Sequence, residues 1–356
     1  MINLFSPLII YSERILRSPN QANTPKKMPP PNPEYLQQEE SLTPESRELI
    51  TTLPRQNGWF DSTHLYLYQG FWFQPDHLQA VISCQSHFQP LHSDVFLATY
   101  PKCGTTWLKA IIFTILNRKH FPPSSPNHPL LTANPHQLVL SLEIDLYAHN
   151  RLPTASTTSS PSRRFFSTHM PHASLPQPLS QRNKVVYACR SPKDTFVSLW
   201  HFMNKLRPQG APERDMETAF RMFCDGAVGY GPFWDHVLGY WRRSLEEPER
   251  VLFVRYEDVK EEGAVQVRRM AEFLECGFSA EEEEEGVVDR ILELSSFESM
   301  RGSEVNRVGR LGNGIENKHF FREGVVGDWK NCLSAQMAQE LDGIVEEKFG
   351  GAGLVI

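Results

Sequence analysis

Short apolar runs, each closed by a polar or glycine-bearing turn, recur along the chain from Leu53 onward. "VFLATY" (95–100), "RFFSTH" (164–169), "KVVYACR" (184–190) and "RVLFVRY" (250–256) are continuous, not alternating. Runs of that length between turn signals read as strands buried on both faces. Between them the apolar spacing becomes helical. A helix is predicted near 105–117, and "SPKDTFVSLWHFMNKL" places Phe196, Leu199, Trp200 and Met203 on one stripe. "EGAVQVRRMAEFLE" follows the last strand in the same way. Short buried strands separated by helices predict an α/β fold, with a central, mostly parallel sheet flanked by helices in a single domain. No repeat and no second boundary is visible. Residues 1–50 are therefore read as a disordered extension and linker, and 51–356 as the folded domain.

Two stretches stand outside that pattern. "SAEEEEEG" (279–286) puts five consecutive glutamates at a predicted helix start, which suits the helix dipole and a solvated face. "LPTASTTSSPS" (152–162) is small and polar, the composition of a mobile loop.

Composition narrows the function. The 356 residues are 40% hydrophobic and 22% charged, enough for a sizeable core. Lys and Arg number 36 against 42 Asp and Glu, a net charge of −6, so no global footprint for nucleic acid exists. Any anion site must be a local cluster of positive charge. Cys84, Cys103, Cys189, Cys224, Cys276 and Cys332 are widely spaced and lack zinc-ligand spacing, so they read as reduced thiols of a cytoplasmic protein. The longest apolar stretch, "AIIFTIL", is far too short to cross a bilayer, and no membrane association is expected. The first 27 residues carry Arg14, Arg17, Lys26 and Lys27 against Glu13. A transit peptide has that balance; the "KKMPPPNPEY" that follows reads as an extended linker and favours a disordered tail.

The candidate chemistry lies where strands meet helices. In "ATYPKCGTTWLKA" (98–110) a strand, a glycine turn and a helix start form a cradle for an anion. Gly104 allows close backbone approach, Thr105 and Thr106 add hydroxyls, and Lys102 adds a full charge. The lysine precedes the glycine by two residues, which departs from the nucleotide-triphosphatase loop. "CRSPKDTFVS" repeats the strand-to-helix arrangement with Arg190 and Ser198, and "FFREGVVGDWKN" (320–331) sets Arg322 beside Gly324. Three such segments suggest a ligand with more than one phosphate.

"GFWFQP", "YPKCGTTWLKA", "STHMP", "CRSPKDTFVS", "NKLRPQG", "YGPFWDHVLGYW", "VRYEDVK" and "FFREGVVGDWKN" occur in the order and spacing of the cytosolic sulfotransferases, and the chain resembles the plant members of that family from about Leu53 to its C-terminus. The resemblance implies a sulfotransferase fold with a nucleotide-kinase-like phosphate loop. It also implies 3′-phosphoadenosine 5′-phosphosulfate (PAPS) as co-substrate, with no metal required. Carried over by residue, Lys102, Cys103, Gly104, Thr105 and Thr106 hold the phosphosulfate and Trp107 stacks on the adenine. Arg190 and Ser198 grip the 3′-phosphate, Tyr256, Phe297 and Met300 lie near the adenine, and Arg322, Glu323 and Gly324 close over the 3′-phosphate. His169 is the implied base, and Lys102 stabilises the leaving oxygen. Cys103 stands where serine is common, Ser191 where asparagine is usual, and Glu323 where the family usually has lysine.

The implied acceptor is a small hydroxylated molecule of flavonoid, brassinosteroid, hydroxyjasmonate or desulfo-glucosinolate type, and the implied assembly a monomer or homodimer. Abundant aromatics, Trp59, Tyr66, Phe71 and Phe202 among them, suit a flat apolar acceptor, and "LYAHNRLPTASTTSS" (146–160) is read as a gate over it. Two other readings stand beside this one. A kinase-like enzyme takes Glu257 or Asp258 as a metal-binding acid, but no matching lysine-serine loop is present. A catalytically weak relative that only binds a nucleotide or metabolite finds support in Glu323 alone. His169 and His172 lack a third partner for zinc.

Overall fold

Four parallel strands form the centre of the protein. The structure is a computed structural model that describes residues 42–59, 63–153, 163–177, 179, 183–207 and 210–356. The N-terminal extension up to residue 41 and residues 154–162 of the polar loop lie outside the described residues.

Helix α1 (Pro44–Thr52) leads into a small antiparallel sheet, β1 (Arg55–Asn57), β2 (His64–Tyr68) and β3 (Phe71–Phe73), which the sequence pattern did not predict. Helix α2 (Pro75–His87) then leads to β4 (Val95–Thr99), and α3 (Thr105–Asn117) follows. A short helix α4 (Pro135–Leu138) and a π-helical turn (Leu142–Leu146) precede β5 (Phe165–Thr168). Next come β6 (Lys184–Cys189), α5 (Pro192–Lys205), α6 (Met216–Cys224), α7 (Phe233–Glu246) and β7 (Val251–Arg255). The chain ends through α8 (Tyr256–Glu261), α9 (Gly263–Phe273), α10 (Ala280–Glu284), α11 (Val287–Leu294), α12 (Phe297–Gly302), α13 (Glu304–Val308) and α14 (Ala335–Phe349).

The main sheet has the order β5-β4-β6-β7, every pair parallel. Its continuous apolar runs follow from burial on both faces. Phe96, Ala98, Val185, Tyr187 and Phe253 face one core with residues of α2, α5, α6, α7 and α14. Val95, Leu97, Val186, Ala188, Leu252 and Val254 face another with residues of α3, α9 and α11. Alternate residues of each strand thus enter opposite cores, as the period of two requires.

The glutamate run corrects the expectation of a merely solvated face. α10 is capped by Ser279, whose hydroxyl accepts from the Glu282 amide, but Glu282 also pairs with Arg118 at 2.7 Å. The Arg118 side chain is nearly buried, so this pair anchors α10 to the end of α3.

Candidate active site

Sheet topology decides where a site can form. From β4 the chain moves to β5 on one side; later it crosses back to β6 on the other. The crevice at the carboxyl ends of β4 and β6 is therefore the switch point where open α/β sheets bind ligands. All four strands deliver a candidate residue there: β4 the turn at Lys102, β5 His169, β6 Arg190 and β7 Tyr256.

The first turn is tight. Lys102 has φ 72 and Gly104 φ 90, and Gly104 caps α3. A left-handed lysine is strained and persists only where its surroundings hold it. Gly104 has a different reason to lack a side chain, since a Cβ would lie 2.7 Å from the Tyr256 ring. Cys103 points the other way. It is fully buried, its Sγ lies 3.5 Å from Thr195 Oγ1, and burial pushes its thiol up to about 12. Only its backbone can serve a ligand.

Lys102, Arg190, Lys205 and Arg322 line one cleft of about 160 Å³. Lys102 Nζ lies 3.9 Å from the centroid of Phe202. Burial first, then the charges of Arg190, Arg322 and Lys205, lower Lys102 to about 7. Arg190 lies over the Tyr256 ring at 4.6 Å and donates to the Val325 carbonyl at 2.7 Å. Asp194 accepts from the amides of Gly327 and Trp329, which ties the 322–331 segment to α5. Tyr256 donates its hydroxyl to the Gly324 carbonyl, and Gly324, at φ 68, leaves room for the Phe297 ring. The Nε atoms of Arg190 and Arg322 are buried without a protein acceptor, while their terminal nitrogens pair with Asp194 and Asp328. Buried donors of this kind, among mutually repelling cations, fit an anionic ligand.

His169 stands at the mouth of this cleft. Its Nδ1 lies 2.8 Å from the Thr99 carbonyl, an acceptor only, so Nδ1 carries the proton and Nε2 keeps a lone pair. Burial lowers the ring to about 3, against the opposing effect of that carbonyl. Three further groups fix the residue. Its amide donates to Glu143 Oε1 at 2.7 Å, Thr168 donates to Glu143 Oε2, and His236 Nε2 donates to the His169 carbonyl at 2.9 Å. Glu143 sits in the π-helical turn, fully buried, and burial raises its carboxyl above the usual range.

A second cavity of about 190 Å³ adjoins the first. Trp59, Leu65, Leu199, Met203, Leu206, Tyr230 and Ile315 give it a mainly apolar wall. His169, His136, Phe202, Phe320 and Pro101 line both cavities.

The residues named from the sequence converge. Lys102, Gly104, Thr105, Thr106, Trp107, His169, Arg190, Ser198, Tyr256, Phe297, Met300, Arg322, Glu323 and Gly324 all line the cationic cleft, and Cys103 alone faces the core. Glu323 is exposed and lies at the cleft edge. Glu257, the metal-binding acid of the kinase-like reading, accepts from the Ser191 amide at 2.9 Å. Among the described residues no group of three potential metal ligands occurs. His172 packs edge-on against Tyr240. Sequence reading did not single out Lys109, His136, Glu143, Lys205, His236, Lys260 or His319. Lys109, Lys205, His236 and Lys260 lay inside quoted motifs; His136, Glu143 and His319 carry no local signal.

The sulfotransferase domain family matches residues 92–353, most of the chain, and the chain belongs to it. It is an enzyme of the transferase class. Within that family it is 49% identical over 324 residues to cytosolic sulfotransferase 12 of Arabidopsis thaliana, spanning 90% of this chain and 97% of the relative. A solved Arabidopsis thaliana sulphotransferase is 44% identical with a TM-score of 0.70, covering 88% of this chain and 95% of that one. Mouse sulfotransferase SULT7A1, solved with PAP, is 25% identical with a TM-score of 0.60, covering 80% and 94%. No described helix is long and apolar enough to cross a membrane.

Proposed function

We propose that this chain transfers the sulfonate group of PAPS to a hydroxyl of a small, largely apolar metabolite in the cytosol. The observation that carries the reading is the position of His169, shared between a cationic cleft and an apolar cavity. Such a histidine reaches a donor on one side and an acceptor on the other.

The donor supplies an activated sulfonate bonded to a phosphate oxygen. Arg190, Ser198 and Arg322 hold the 3′-phosphate, with the orphaned Nε atoms of both arginines as support. The 102–106 turn holds the phosphosulfate end, and Trp107, Tyr256, Phe297 and Met300 surround the adenine. Lys102 gives up its contact with Phe202 and places its charge on the leaving oxygen, where preorganised charge has its largest effect. His169 Nε2 takes the acceptor proton, its ring held by Thr99 and Glu143. The apolar wall with Trp59 and Tyr230 orients a flat acceptor of flavonoid, brassinosteroid, hydroxyjasmonate or desulfo-glucosinolate type.

The test is transfer of labelled sulfonate from PAPS to a panel of such hydroxylated acceptors, with and without a chelator, beside His169→Ala. Labelled product with at least one acceptor, lost in the variant, supports the reading. Loss of transfer with chelator, or no product across the panel from protein that binds PAP, overturns it.

A further inference from the structure

The wall between the two cavities contains a hydrogen-bond chain that the steps above leave unused. Lys109, one turn into α3, is 1% exposed. Its Nζ donates to the Val139 carbonyl at 2.9 Å and lies 3.0 Å from His136 Nδ1. On the far side of the ring, His136 Nε2 is 2.9 Å from Thr106 Oγ1. Phe320 packs on the imidazole with centroids 4.4 Å apart.

The direction of each bond follows from the protons present. An ammonium has three N–H groups and no lone pair. Burial lowers Lys109 only to about 8, so it stays protonated at neutral pH. His136 Nδ1 must then accept. Burial, followed by Lys109, His169 and Lys102, holds His136 well below its ordinary range, so the ring has one proton to place. That proton sits on Nε2 and is donated to Thr106 Oγ1. The hydroxyl keeps its own proton, for which no acceptor is found among the described residues. Thr106 lines the cationic cleft.

We propose that Lys109 and His136 are positioning residues that turn the Thr106 hydroxyl proton into the cleft, toward an anionic oxygen of the bound nucleotide. This rests on reading the cleft as the PAPS site. A lysine kept only to fill the wall is a poor choice, because burying a charge costs more than burying a methionine of similar volume. Here its donor-only character selects the tautomer of the imidazole it touches.

The experiment is PAP binding by calorimetry at pH 7 with the full chain. Thr106→Val, Lys109→Met and His136→Phe, which keeps the ring against Phe320, are each expected to weaken PAP roughly tenfold. The double variant Lys109→Met/Thr106→Val is expected to bind no more weakly than Thr106→Val, because the lysine acts through that hydroxyl. Losses that multiply overturn the proposal while leaving the PAPS reading intact. A wild-type chain that does not bind PAP defeats the PAPS reading itself. Nitrogen-15 shifts of the wild-type histidines give a readout independent of any variant's folding. An Nε2–H tautomer at His136 is expected, and an Nδ1–H tautomer overturns the proposal.

Discussion

His169 donates its Nδ1 proton to the carbonyl oxygen of Thr99 across 2.8 Å. The two residues come from neighbouring parallel strands, one step past the pairing of Thr168 with Ala98. The ring is thus held by the sheet itself, with Nε2 as its remaining lone pair. His169→Ala is expected to lower kcat by roughly 10²–10⁴-fold. PAP affinity, measured by calorimetry, should stay within about threefold, since the phosphate contacts lie on other strands. A loss of PAP binding equal to the loss of kcat would contradict this.

Lys102 makes donor binding depend on pH. Burial and three neighbouring cations lower it to about 7, and an anionic donor favours its charged form. Above pH 7 the free group is neutral, so binding must take up a proton, and affinity falls as pH rises, by up to about tenfold per unit. Calorimetry of PAP binding at pH 8 in buffers of different ionisation enthalpy should register proton uptake, and Lys102→Met should reduce it. Equal apparent enthalpies in all buffers would refute the assignment.

Two glycines make room for the rings on the Tyr256 side of the cleft. A Cβ on Gly324 would lie 2.4 Å from Phe297, at φ 68, and one on Gly104 would lie 2.7 Å from Tyr256, at φ 90. Gly324→Ala and Gly104→Ala are each expected to cost about 1–2 kcal/mol of stability in urea unfolding from the left-handed backbone alone. They should weaken PAP more than tenfold, because the displaced rings line the cleft. A variant with wild-type PAP affinity would show that the ring positions are unimportant.

The exposed side chain of Glu323 separates local from long-range charge. Glu323→Gln should leave PAP affinity within about twofold, and Glu323→Lys should tighten it by less than tenfold, with the gain disappearing at high salt. A gain that survives 0.5 M salt (about four angstroms of screening length) would place this side chain in direct contact with phosphate.

Buried histidines set the acid limit of the fold. His128 and His236 are fully buried, and burial brings each to about 4. Below about 6.5 the unfolded chain takes up protons that the folded chain refuses. Their contribution is complete above that pH and is lost as pH falls toward 4. These two sites alone give a slope of up to about 3 kcal/mol per pH unit, and His136 and His169, also lowered by burial, add in the same sense. Glu143 and Asp145, whose carboxyls burial raises, act in the opposite sense over part of that window. Urea midpoints between pH 7 and pH 5 should fall, and His236→Gln should reduce the slope. A midpoint that stays flat would show that the two rings do not govern acid stability.

The sequence by itself determined the parallel sheet and the candidate phosphate corners, because both are written locally. A strand buried on both faces needs an unbroken apolar run such as "VFLAT", and a helix start that receives an anion needs glycine, lysine and hydroxyls within a few residues, as in "KCGTT". The small antiparallel sheet escaped detection because β1 and β3 have three residues each, too few for a period to show. Tertiary structure alone decided that Cys103 faces the core, that Glu323 is exposed, and that Lys109, His136, Glu143 and His236 gather around the candidate site. Their partners lie 26 to 67 positions away along the chain. A lone buried lysine or histidine has no local pattern; its role comes from what the crossover between β5 and β6 brings beside it, and pairing over that distance is a property of the packed sheet.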